Sequence, residues 1–171
     1  MIYEFKGIKP EIDDDVFIAP SADIIGRVKI AKGSSVWFNV TIRADVDDVI
    51  IGENVSIQDN CCLHQTEGYP LEIGNNVTVG HAVTLHGCKI ADNTLIGMGA
   101  TVLDDAKIGK NSIVAAGAVV LEHKKFPDYS LIAGVPAKVI RTLPEDTEDK
   151  LYKHALSYVN YAKEYKDSDK L

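Results

Sequence analysis

Aliphatic residues recur every six places along most of this chain, and few folds can use that spacing. The series runs Ile18, Ile24, Ile30, Val36 and Ile42, then Ile51, Ile57 and Leu63. It continues through Ile73, Val79 and Leu85, then Ile90, Ile96, Val102, Ile108, Val114 and Val120. Glycine follows several of them, as in Ile51-Gly52, Ile73-Gly74, Val79-Gly80, Ile96-Gly97 and Ile108-Gly109. A six-residue period marks a parallel β-helix, in which each hexad supplies a short strand and a corner. One apolar residue per hexad points inward, so stacked coils share a continuous core.

Three hexads make one triangular turn in the left-handed form of this architecture, which the repeat resembles. The fold class expected is an all-β solenoid, a left-handed parallel β-helix with a C-terminal α-helix. On that count Ile51, Ile57 and Leu63 begin the three faces of one coil, and Ile73, Val79 and Leu85 the same faces of the next. Leu63 then stacks on Leu85 at the strand spacing of about 4.8 Å. His64 and His86 follow those residues, so they lie one above the other and point outward. If the interval from Ile42 to Ile51 returns the chain to the first face, Arg43 joins their column one coil below. His81, two places after Val79, sits on the adjacent face.

That placement suggests metal chemistry. Two imidazoles a strand apart can grip one divalent ion at Zn–N distances of roughly 2.0–2.1 Å. His81 of the same chain points around a corner, but His81 of a neighbouring subunit could complete the set. Three nitrogens with a fourth position open to water describe a catalytic zinc site. His123 and His154 fall outside the register and read as ordinary histidines.

The repeat breaks beside the histidines. Three residues are added between Ile42 and Ile51, four between Leu63 and Ile73, and one is missing between Leu85 and Ile90. Insertions in solenoids tend to serve the functional face. The β-helix with its lead-in is assigned to 1–141 and a packed C-terminal helix to 142–171. Thr142-Leu143-Pro144-Glu145 reads as a capping box. Leu151, Ala155, Tyr158, Ala162 and Tyr165 trace one helical stripe. A net charge of −7 argues against nucleic-acid binding. No apolar run reaches membrane-spanning length, and Met1-Ile2-Tyr3-Glu4 lacks the features of a secretory leader, so a cytoplasmic protein is expected. Cys61, Cys62 and Cys88 have no metal-finger spacing and read as reduced thiols.

Arg43-x-Asp45, Gln58-Asp59-Asn60, His64, His81 and His86 together resemble the γ-class carbonic anhydrases, and the likeness covers nearly the whole chain. The resemblance implies a homotrimer with zinc, or alternatively iron or cobalt, at each subunit interface. His64 and His86 would come from one subunit and His81 from the next. It implies reversible hydration of carbon dioxide to bicarbonate by metal-bound hydroxide, with Gln58 holding that hydroxide or the substrate. Arg43 and Asp45 match a pair that bridges subunits near the metal. Glu67 falls where the family can place a proton-shuttling glutamate. Tyr158 and Asn160 match a Tyr-x-Asn pair brought from the C-terminal helix.

Departures bear on the proton. Val46 stands where the best-known members carry a second glutamate, Ser56 where an asparagine is expected, and the loop after His64 is short. Each hydration must export one proton, so a missing relay limits rate even at an intact metal site. Besides a metal-assisted thioester hydrolase, two other functions remain open. One is acyl transfer from an acetyl-CoA-type donor, since Gly134-Val135-Pro136-Ala137-Lys138 resembles the closing segment of hexapeptide transferases. The second is a metal-stapled trimeric scaffold without activity.

Overall fold

The computed structural model describes residues 1–168; the last three positions of the expected C-terminal segment, 169–171, lie outside the described residues. The hexads form short parallel strands stacked on three faces. One inward column holds Ile24, Ile42, Leu63, Leu85, Val102 and Val120. A second holds Ile30, Ile51, Ile73, Ile90, Ile108 and Phe126. The third holds Ile18, Val36, Ile57, Val79, Ile96, Val114 and Ile132. From Ile24 to Val120 no member of these columns is more than 3% exposed, so one apolar core runs through the prism. This is the hexapeptide solenoid expected, carried two hexads further, to Phe126 and Ile132.

The corners explain why the coils can close. Asn54, Asn76, Asn93 and Asn111 take left-handed φ values of 56°, 56°, 52° and 57°. Asparagine tolerates that region because its short amide can bond locally. Here the amides also climb from coil to coil, Asn54 donating to Asn76 at 3.0 Å and Asn93 to Asn111 at 3.2 Å. Gly97 has a different reason: a Cβ there would lie 2.5 Å from the backbone nitrogen of Ala116. Any side chain would hold the coils apart.

The irregular hexads shape the functional end. The three extra residues before Ile51 are absorbed by one long strand, Thr41–Ile51, that crosses from the column of Leu63 to that of Ile73. The four extra residues after Leu63 form a loop closed by a bridge between Thr66 and Tyr69.

An antiparallel hairpin, Ser130–Gly134 with Ala137–Thr142, ends the solenoid. This corrects the expected capping box. Thr142 pairs with Ser130 in the hairpin, and the helix spans Thr147–Lys166, with Asp146 at its N-cap and no side-chain cap bond. The helix lies along the third face. Leu151, Ala155 and Ala162 are buried, while Tyr158 and Tyr165 join Phe17 and Trp37. Trp37 stands 5.1 Å from both Phe17 and Tyr165 between ring centres. Such pairs add about 0.5–1.5 kcal/mol each beyond burial. Glu148 fixes the start of the helix by accepting from the Tyr129 hydroxyl at 2.8 Å. Among the described residues, no helix is long and apolar enough to cross a membrane.

Candidate metal centre

His64 and His86 are direct register partners, on strands Cys62–His64 and Thr84–His86. His64 Nδ1 faces His86 Nε2 at 3.0 Å. Carboxylates occupy the other ring nitrogens. His64 Nε2–H donates to Asp45 Oδ1 at 3.0 Å, and His86 Nδ1–H donates to Asp104 Oδ1 at 2.7 Å. A neutral imidazole has one donor and one acceptor nitrogen. Both donors are therefore spent on carboxylates, and two lone pairs converge across 3.0 Å. They repel unless a cation lies between them. Two ligand nitrogens on a tetrahedral zinc would stand about 3.3 Å apart, from Zn–N bonds of 2.0–2.1 Å. With the tautomers that the two carboxylates favour, the pair fits a divalent metal in donor type and lone-pair direction, and its spacing comes within about 0.3 Å of the metal value.

Arg43 follows Ile42 as His64 follows Leu63, and its guanidinium donates to Asp45 Oδ2. Burial alone would raise the Asp45 pKa. Hydrogen bonds from His64 and Arg43 outweigh it and hold this carboxyl below its ordinary value. Asp45 is therefore an anion that orients His64 and accompanies any cation bound there.

His81 lies on a different edge of the prism, beyond the third-face strand Thr78–Val79. Its Nδ1 lies 2.9 Å from Asp59 Oδ2. A carboxylate thus stands beside each of the three histidines, hydrogen-bonded to the ring in His64 and His86. Among the described residues of one chain, no three His, Cys, Asp or Glu side chains are placed to hold one ion.

The remaining expected site residues divide into two sets. Gln58, Asp59, His81 and Tyr158 line one groove of about 240 Å³ between the third face and the helix. Gln58 is 3% exposed. It also ends a second, apolar groove of about 380 Å³ that runs over Gly80, Gly97 and Ala115 to His154. That groove exists because the outward column above Gln58 holds only glycine and alanine. Glu67 is exposed on the loop beside His64 and His86, away from Gln58. Asn160 is also exposed, about 200° around the helix from Tyr158, and is not part of the groove.

Two carboxylates beside the histidines were missed. Asp104 lies 18 residues after His86 (104 − 86 = 18), which is three hexads and one full coil. The period alone could have found it. Asp59 was read only as part of a motif, although Gln58 pairs with the position of Gly80 and so puts Asp59 beside His81. The departure at Ser56 has a local reason. Its buried hydroxyl, with that of Ser35, accepts from Trp37 Nε1, both at 3.0 Å. Val46 is 42% exposed and brings no charge to the site.

Residues 87–122 match the family described as bacterial transferase hexapeptide (six repeats). Over 148 residues the chain is 53% identical to a Methanocaldococcus jannaschii protein named "Probable carbonic anhydrase", covering 86% of this chain and 93% of that one. It is 49% identical over 166 residues to a carbonic anhydrase of Geobacillus kaustophilus, covering 97% and 91%. A solved structure of a hexapeptide transferase family protein from Anaplasma phagocytophilum superposes with a TM-score of 0.90 at 36% identity, covering 96% and 97%.

Proposed function

Because the chain belongs to the γ-class carbonic anhydrases, a family of hexapeptide-repeat proteins, we propose that it interconverts carbon dioxide and bicarbonate at a divalent metal. The ligands are His64 and His86 of one subunit and His81 of the next, in a homotrimer. The observation behind this reading is the pair of imidazole lone pairs converging across 3.0 Å with both outer nitrogens held by carboxylates. One chain supplies two convergent nitrogens, and its His81 presents a third toward the groove of Gln58 and Tyr158. A cyclic trimer would bring these two edges together three times over.

A metal held there, zinc in the first instance and iron or cobalt otherwise, supplies Lewis acidity that lowers the pKa of a coordinated water to about 7. The chain's residues do the rest. Asp45 and Asp104 fix the tautomers and orientations of His64 and His86, and Asp59 stands beside His81 as a counter-charge. Gln58 presents its side-chain amide to the groove, where it orients the reacting oxygens, and Tyr158 walls the groove against bulk water. Arg43 neutralises Asp45 and faces the subunit boundary. Glu67 passes the released proton to solvent, with Asn160 placed to meet the neighbouring subunit. Three free cysteines and a net charge of −7 support a cytoplasmic setting.

The test is metal content measured together with carbon dioxide hydration on the purified trimer. We expect one metal per chain and activity lost with it. The apolar groove of about 380 Å³ ending at Gln58 is the observation that favours acyl transfer instead. Inactivity toward carbon dioxide in a fully metal-loaded trimer, with turnover of acetyl-CoA, would select that reading.

A further inference from the structure

Asp104 uses both of its oxygens. Oδ1 accepts from His86 Nδ1–H at 2.7 Å, and Oδ2 accepts from the Thr66 hydroxyl at 3.0 Å. Thr66 belongs to the loop inserted after His64, and that loop is tied from the other side as well. Gly68 N–H donates to Asp47 Oδ2 at 2.9 Å, and the buried Gln65 amide donates to the Asp47 carbonyl at 2.6 Å. The loop therefore spans two anchors. Asp47 lies in the inserted strand segment, and Asp104 lies in the coil above His86. Tyr69 closes the loop's far end, packing edge-on to His123 at 6.0 Å between ring centres.

We propose that Asp104 is a positioning residue that couples metal loading of His86 to closure of the 65–69 loop. The inference rests on the reading of His64 and His86 as metal ligands. The physical link is one carboxylate with two partners on separate elements. When His86 gives its Nε2 lone pair to a cation, its Nδ1–H becomes a stronger donor and fixes the Asp104 carboxylate more firmly. A fixed carboxylate holds Thr66, and Thr66 holds the loop that carries Glu67 beside the site. The converse follows by linkage: a loop pulled away takes Thr66 from Asp104 and loosens the ring of His86.

Cobalt(II) and zinc(II) titrations against a competing chelator, with hydrogen exchange of the loop amides, test this. In the parent protein, metal should increase protection at residues 65–69. Asp104→Asn should lower cobalt affinity about 10–100-fold, the usual loss for an outer-shell partner, and shift the visible cobalt spectrum. In that variant metal should no longer protect the loop. Thr66→Val keeps the shape and removes only the loop contact, so it should speed loop exchange. Its affinity loss should be smaller, roughly two- to tenfold. Asp104→Glu should recover part of the lost affinity. If Asp104→Asn does not fold, Thr66→Val carries the test alone, since its hydroxyl is exposed. Unchanged affinity and spectrum in Asp104→Asn, or loop exchange indifferent to metal in the parent, would overturn the coupling. His86→Ala is the separate control: full metal affinity there would reject the ligand assignment itself.

Discussion

Between Ile42 and Ile90 the hexad is stretched twice and shortened once, whereas from Ile90 to Phe126 it keeps strict six-residue steps. The two regions bury equivalent cores: Leu63 and Leu85 are fully buried in one, Ile96 and Val102 in the other. Their outward positions diverge. The regular coils present Gly97, Ala115 and a pair of stacked lysines at 107 and 125. The stretched coils present His64, His86, Asp45 and the 65–69 loop. Stacking thus fixes where a side chain points, while departures from the period supply the extra chain needed to gather polar groups around it.

The largest effect expected on this contrast is on metal content. His64→Ala and His86→Ala should each abolish most bound metal, because each leaves one nitrogen where two converged. His81→Ala should do the same through the neighbouring site. His123→Ala, on a regular coil, should leave metal content unchanged. Mixed trimers of His64→Ala and His81→Ala subunits should recover part of the lost metal, since some interfaces then join two intact edges. Full occupancy in His81→Ala would remove the inter-subunit site.

The cores should not distinguish the two regions. Leu85→Ala beneath the histidines and Ile96→Ala in the regular coils should each cost about 2–5 kcal/mol, the range for fully buried aliphatics. Denaturant unfolding measures both. A loss confined to one region would mean that the solenoid does not share stability along its length.

That contrast also explains what the sequence could and could not reveal. Inward positions obey the period, so the columns and the stacking of His64 on His86 are legible from residue numbers. The prism end was harder: Phe126 replaces an aliphatic residue in the series, and the hairpin after Ser130 leaves the repeat. Thr142-Leu143-Pro144-Glu145 has the composition of a capping box, yet hairpin pairing claims Thr142 first. Hydrogen bonds made by outward side chains depend on rotamers, which no period encodes. Asp104 lay in reach of simple counting, but its second bond to Thr66 did not.

A smaller effect concerns the proton. Glu67 is exposed on the stretched-coil loop, and Val46 adds no carboxylate to help it. Glu67→Ala should slow hydration in weak buffer and recover, at least in part, when imidazole carries the proton. Gln58→Ala should slow it without recovery, because an amide proposed to orient the reacting oxygens has no diffusible substitute. Equal losses, insensitive to buffer in both variants, would reject this division of labour.

The smallest effect separates inward from outward positions within the stretched coils themselves. Burial pushes the Cys61 thiol up to about 12, only partly countered by backbone hydrogen bonds, and drives Cys88 the same way. The thiolate is the reactive form, so a raised pKa lowers reactivity at any given pH. At pH 8 about one Cys61 in ten thousand is ionised, from the four-unit gap to a pKa near 12. Cys62 is exposed. Alkylation of the native protein at pH 8 should therefore modify at most one thiol per chain, with no label on Cys61 or Cys88 by peptide mapping. All three should label after unfolding. Native labelling of Cys88 would mean that the stretched coils open where the regular ones stay shut, and the shared core would have to be divided between them.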